Sequence, residues 1–382
     1  MDGYRKIYEN AMVDLFILLV LSLISVNLWR NIIYFKKQKV KRLPKKYPFL
    51  SVLIPCRNEE ENVENCIKSL LSQDYPKFEI IALDDSSNDR TYEILLRLCK
   101  ENPSKIKVLK GKPLPSGWTG KNWACHQLSE EARGEWFVFV DADTKHSPSF
   151  LKTAYSIAKE NRALFISAIP ELDMRTMAEK IILPVIHFAF YLLFPFHLLN
   201  KLSSSKLSLA IGPFIMVKKE VYQKVGGHKA IKKEIVDDIE LARNVKRIGE
   251  RMVIMEGKNR IKVRFYKNLA EIWNGFSKNS FGAFGYSALS YILFLTFGYL
   301  VFLHPFVRFY LNPWISLKNP VFLEVIFIIL LRSLVVLRVG EGMLSIILHP
   351  FMILFSLLFA FNSLLKVIFK RSIVWKERAY KI

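Results

Sequence analysis

The run VDLFILLVLSLISVNLW, Val13 to Trp29, has Asp14 as its only charged residue and is followed by Lys36, Lys37, Lys39, Lys41, Arg42, Lys45 and Lys46. An apolar helix of that length, with its flanks, crosses a hydrocarbon core about 30 Å thick, so this end of the chain folds in a bilayer. No small-residue cleavage site comes after the run, which therefore reads as a retained anchor rather than a signal peptide. The flank before it carries no net charge, with Asp2 and Glu9 against Arg5 and Lys6. The basic flank then marks the cytoplasmic side, and the chain beyond it is expected in the cytoplasm.

The far end repeats the pattern. Apolar stretches at 286–309, 321–338 and 344–369 precede a tail with Lys366, Lys370, Arg371, Lys376, Arg378 and Lys381. If the soluble unit and the tail share one side, the spans between them are even in number. The middle stretch contains Glu324, Arg332 and Arg338, which are costly at bilayer depth, so it is expected to be re-entrant or interfacial; the alternative is a tail on the outer side. The segment IILPVIHFAFYLLFPFHLL, 181–199, is interrupted by Pro184 and Pro195 and carries His187 and His197. It is expected to dip into the cytoplasmic leaflet, because a span there would separate acidic motifs on either side of it.

The formal charge of +22 and the 51% hydrophobic content separate by position along this layout. Much of the basic excess flanks apolar spans, and no block of basic residues interleaved with aromatics suggests a nucleic-acid surface. Cys56, Cys66, Cys99 and Cys125 have no C-x-x-C spacing and read as reduced, buried thiols.

Between the ends, 49–257 alternates short β-rich runs (FLSVLIP, FEIIALDD, IKVLK, EWFVFVDAD) with helical segments (NEEENVENCIKSLLSQ, TYEILLRLCKEN, WACHQLSEEAR). That alternation predicts a mostly parallel sheet with its ligand crevice at the carboxyl ends of the strands. The expected plan is a membrane anchor and basic linker over 1–48, a catalytic domain over 49–257, an interfacial linker over 258–285 and a transmembrane region with its tail over 286–382.

Polar motifs sit at the strand ends. They are Pro55-Cys56-Arg57-Asn58-Glu59, Asp84-Asp85-Ser86-Ser87-Asn88-Asp89, the loop Gly117-Trp118-Thr119-Gly120-Lys121-Asn122 with Asp141-Ala142-Asp143 beyond it, and Asp237-Asp238-Ile239-Glu240. Two carboxylates leaving a strand at alternate positions can hold a hard divalent cation through oxygen, although for a lone D-x-D a solvated Asx turn is the commoner reading. Asp84-Asp85 and Asp237-Asp238 can likewise be helix caps. Only the order PxRNE, DDxSxD, GK, DAD, DD along one α/β unit is specific.

That ordered set resembles the inverting, family 2 nucleotide-sugar glycosyltransferases of the GT-A fold. LPSGWTGKNWACHQ, GPFIMVKKEVYQKVGGH, IVDDIELARNVKRIG and the tail SIVWKERAY are similar to the membrane-bound branch with hopanoid-associated and carotenoid (diaponeurosporenoate-type) enzymes. The resemblance implies that Pro55, Arg57, Asn58 and Glu59 line the nucleotide pocket and that Asp85, with Asp84, meets the base. It implies that Lys121 lies near the phosphates, that Asp141 faces the ribose, that Asp143 binds Mg²⁺ or Mn²⁺, and that Asp238 is the general base. Asp237 departs from the family's Glu at the preceding position.

The implied reaction moves one sugar from a nucleotide-diphosphate sugar, with UDP as the foremost carrier, to a membrane lipid. The alternatives are a polyprenyl-phosphate or processive enzyme and, outside catalysis, an inactive membrane scaffold. Processive relatives carry QxxRW, and no Arg-Trp dipeptide occurs here; Trp273 and Lys278 in EIWNGFSKNSFGAFG are possible substitutes or simply interfacial residues. His126, His146 and His228 have no zinc spacing. His228 is either a turn residue or a sugar contact, and Trp118 either a loop anchor or a lid over the donor.

Overall fold

The computed structural model describes residues 2–38, 40, 43–202, 204–281, 287–311, 319–369, 373–375 and 378–380. Lys39, Lys41, Arg42, Lys370, Arg371, Lys376 and Lys381 of the two basic clusters, and the side chain of Lys278, lie outside the described residues. Seven strands form the central sheet: β1 (Leu50–Cys56), β2 (Phe78–Asp84), β3 (Ile106–Lys110), β4 (Trp136–Val140), β6 (Phe165–Ile169), β8 (Phe214–Lys218) and β9 (Met252–Glu256), in the order β3-β2-β1-β4-β8-β6-β9. All neighbours are parallel except β8, which runs antiparallel to β4 and β6. Central strands such as WFVFV and FISAI are buried along their whole length because helices cover both faces.

A smaller sheet of β5 (Thr144–His146), β7 (Glu171–Leu172) and β10 (Ile261–Val263), with β10 in the middle, carries the unit beyond residue 257. The α/β sheet, the crossover helices and the terminal apolar helices match the architecture expected from the sequence.

One glycine fixes how closely β1 and β4 approach. A Cβ on Gly134 would stand 2.5 Å from the Ser51 backbone nitrogen. Its own N–H donates to Ser51 Oγ at 2.8 Å, and that hydroxyl donates to Glu79 Oε1 at 2.7 Å. Gly134→Ala is therefore expected to destabilise the domain by about 1–3 kcal/mol, the usual cost of overpacking, measured by urea unfolding.

Among the described residues, four helices are long and apolar enough to cross a membrane: Ala11–Lys37, Ala288–Leu311, Pro320–Val339 and His349–Lys366. The first exposes Leu15, Phe16, Leu19, Leu23 and Trp29. Its other face packs on the α/β unit, where Asn31 donates to the carbonyls of Tyr191 (2.9 Å) and Phe194 (2.7 Å), and Asn27 to that of Leu192 (2.7 Å). These groups at the end of helix Pro184–Leu193 have no partner within their own helix, so the anchor satisfies them. That helix has ten residues. At 1.5 Å per residue it is about half the length of a span, in keeping with a segment that does not cross.

The middle C-terminal stretch, Pro320–Val339, is one continuous helix of 20 residues with no re-entrant turn. The protein pairs the two arginines internally, Arg332 with Glu341 and Arg338 with Glu256, while Glu324 is buried beside Asp14 and its partner Arg308. The Arg338 end is thus tied to the α/β unit, where the C-terminal part of the anchor also docks, and the Glu324 end to the N-terminal part of the anchor, so the two helices run parallel.

Candidate active site

The polar motifs converge at the carboxyl ends of β1, β2 and β4. Pro55, Arg57, Asn58, Glu59, Asp85, Lys121, Asp141, Asp143, Asp237 and Asp238 line one cavity of about 750 Å³. The first two motifs are laced together. Arg57 Nη1 donates to the carbonyls of Asp85 (2.6 Å) and Ser86 (3.0 Å). Backbone N–H groups of Asn58, Glu59 and Glu60 donate to Ser87 Oγ, Thr91 Oγ1 and Asp89 Oδ2. The polar residues after Asp85 therefore shape the loop. Asp84 corrects the expectation of a base contact: it is buried at the end of β2, off the cavity wall, and accepts from the Ser87 N–H at 3.4 Å.

Lys121 opens the helix Gly120–Glu131, capped by Thr119 Oγ1, which accepts from the Asn122 N–H. The Asn122 amide reaches the carbonyls of Ile231 (2.8 Å) and Glu234 (2.9 Å), fastening this loop to the segment that leads into Asp237. Asn122→Ala would remove the amide donor from the Glu234 carbonyl and leave the Ile231 carbonyl only the Glu234 N–H, for a loss of about 1–3 kcal/mol in a thermal or urea unfolding measurement. Lys121 Nζ stands 2.9 Å from Asp141 Oδ1 and 3.8 Å from Asp237 Oδ2. Burial alone would lower its pKa, but the two carboxylates outweigh that and hold the ammonium protonated.

Asp238 opens the helix Asp237–Arg247. Its Oδ2 accepts from the Gly212 N–H at 2.9 Å and its Oδ1 from the Ile239 N–H at 2.8 Å. Burial, reinforced by the neighbouring Asp237 charge, pushes its pKa up to about 7. A carboxylate so poised exchanges a proton near neutrality.

No group of three or more His, Cys, Asp or Glu among the described residues is placed to hold a metal ion. Asp141 is engaged by Lys121, while Asp143 faces the same cavity. That donor set fits Mg²⁺ or Mn²⁺ arriving with a diphosphate, because Mg²⁺ keeps several waters and is usually bound by one or two carboxylates plus phosphate oxygens.

The remaining wall is not legible in the sequence. Gly212 sits between Asp141, Lys121 and Asp238. Tyr266 also lines the cavity, and its hydroxyl is pushed up to about 12 by burial and then by the Asp143 charge. Ile186, Phe190, Leu209, Ile211 and Phe276 make an apolar half. His228 is buried with Nδ1 2.8 Å from the Tyr222 hydroxyl, and burial lowers its pKa to about 3. Trp118 packs on Trp123 and stacks on His126, and Trp273 meets Phe359 edge-on; neither lines the cavity.

Residues 51–226 match the profile of Glycosyl transferase family 2. Those residues form a family 2 glycosyltransferase domain. The chain is 29% identical over 260 residues to the 4,4'-diaponeurosporenoate glycosyltransferase of Staphylococcus haemolyticus, covering 66% of this chain and 67% of the relative. A 113-residue stretch is 34% identical to the beta-monoglucosyldiacylglycerol synthase of Nostoc sp., covering 29% of this chain and 24% of that one. The fold is similar to that of the mannosyltransferase PcManGT from Pyrobaculum calidifontis, solved with GDP-Man and Mn²⁺, at TM-score 0.51 and 15% identity over 92% of this chain and 99% of that one. Family 2 membership and the GT-A fold expected from the motif order therefore stand. The family match ends at residue 226, before the Asp237-Asp238 pair, so the geometry of that pair is an independent observation.

Proposed function

We propose that this glycosyltransferase moves a single sugar, with inversion, from a nucleotide-diphosphate sugar to the hydroxyl of a membrane lipid, with a UDP-sugar the first donor to test. The supporting observation is the two-sided cavity: charged groups Lys121, Asp141, Asp143 and Asp238 occupy one half, and Ile186, Phe190, Leu209, Ile211 and Phe276 the other. A nucleotide diphosphate suits the first half and an apolar acceptor the second.

Asp238 would take the acceptor's proton as the oxygen attacks the anomeric carbon and the bond to the diphosphate breaks. Lys121 would offset charge on the leaving diphosphate, and Arg57, Asn58, Glu59 and Asp85 would hold the nucleotide. A Mg²⁺ or Mn²⁺ bound by Asp143 would supply further charge neutralisation of that leaving group. The enzyme is read as a multi-pass membrane protein with this domain on the cytoplasmic side and the 181–199 segment at the interface.

Incubating membranes that contain the protein with a panel of labelled nucleotide sugars, then extracting the lipids, tests the reading. Label in a lipid is expected. Label found only in water-soluble product would sink it.

A further inference from the structure

The helix that forms part of the apolar wall is tied to a membrane helix through buried charge. His187 lies one residue from Ile186 and three from Phe190, both on the cavity wall. Its side chain points the other way. Nδ1 is 2.7 Å from Glu341 Oε1 and Nε2 is 2.9 Å from the carbonyl of Pro170, just past β6. The other oxygen of Glu341 accepts from Arg332 Nη2. Arg332, fully buried in helix Pro320–Val339, also reaches the carbonyls of Pro184 (3.3 Å) and Ser345 (3.4 Å) and lies over the Phe188 ring.

One guanidinium therefore joins a candidate span, the turn after it and the first residue of the wall helix. A second tie lies nearby, where Arg338 pairs with Glu256 and Glu256 accepts from the Tyr191 hydroxyl on the same wall helix.

Buried ion pairs seldom add net stability over well-packed apolar residues, because desolvation offsets the Coulomb gain. What such a network supplies is a definite geometry. A single guanidinium with three differently directed partners fixes direction as well as distance in a way a point charge cannot.

We propose that Arg332, Glu341 and His187 are positioning residues that hold the Pro184–Leu193 wall at a set distance from Asp238, so that an acceptor entering from the bilayer presents its reacting group to the base. This rests on the lipid-acceptor reading above. It assigns the three residues no contact with either substrate.

The test is the double variant Arg332→Met/Glu341→Gln in the full-length protein, which removes the formal charges of both residues together. Arg332→Lys alone serves as a second variant that keeps the charge but not the three-way reach. In both, hydrogen exchange of 184–193 is expected to rise at least about tenfold while β1 and β4 stay protected. The KM for the lipid acceptor is expected to rise by a similar factor, with donor affinity by calorimetry unchanged.

Unchanged exchange in 184–193 would overturn the proposal whatever the acceptor proves to be. Raised exchange with an unaltered acceptor KM would also overturn it, since the wall would then be held without effect on transfer. A wild-type protein that labels no lipid would instead overturn the acceptor reading, and the exchange result alone would decide whether these residues fix the wall.

Discussion

Asp238→Asn is expected to lose about 10²–10⁴-fold in transfer rate, the range associated with removing a general base, while remaining folded and able to bind the nucleotide sugar. Its effect on pH dependence should be equally diagnostic. In the wild type the carboxyl pKa is raised to about 7, first by burial and then by Asp237. The free enzyme's kcat/KM should therefore fall as pH drops below about 7, because the base becomes protonated. Stability moves in the opposite sense. A carboxyl whose pKa is raised on folding stabilises the native state below its unfolded value, about 4, and that contribution is lost as pH rises through 7. Asparagine cannot ionise, so the melting temperature of Asp238→Asn relative to wild type should shift in the variant's favour between pH 5 and pH 8. Paired pH–rate and pH–Tm profiles check this. A variant with full activity and an unaltered acidic limb would remove Asp238 from the mechanism.

The reason this residue is legible in the sequence, while its neighbours are not, is chemical. Asp238 belongs to an ordered series of charged motifs, and charge at a strand or helix end is visible in one dimension. Gly212 is 26 positions away and has no side chain to betray it. Only the antiparallel insertion of β8 between β4 and β6 brings the turn before that strand against Lys121 and Asp141. The apolar wall is hidden for a related reason: Ile186 and Phe190 sit in a stretch whose composition announces membrane affinity and conceals which side chains face a cavity.

Asp84 misleads because two adjacent aspartates at a strand end look alike in sequence, whereas successive side chains of a strand point to opposite faces. The surroundings of the charges in Pro320–Val339 are hidden from a hydropathy argument because it prices each charge alone. Arg332 and Arg338 find partners on Glu341 and Glu256, contacts that exist only once the helices are packed, while Glu324 is buried beside Asp14 and Arg308.

Gly212→Val is the second substitution with a large expected effect, and it probes space rather than charge. A Cβ at this position would lie 3.3 Å from Asp141 Oδ2, 3.3 Å from Lys121 Nζ and 3.6 Å from Asp238 Oδ2. Backbone strain does not restrict the site, since Gly212 is not among the glycines with positive φ. The first carbon alone is tight but tolerable; the two methyl groups beyond it would enter the space between the base and the ion pair. Transfer should fall by at least about 10²-fold, the scale set by a misplacement near 1 Å at a reacting centre. The Gly212 N–H can still donate to Asp238, so the fold should survive, and the urea-unfolding midpoint should lie close to that of wild type. Gly212→Ala should be intermediate in rate. If Gly212→Val transferred sugar at the wild-type rate, the reaction would have to occur elsewhere in the cavity, and the roles proposed for Lys121, Asp141 and Asp238 would fall together.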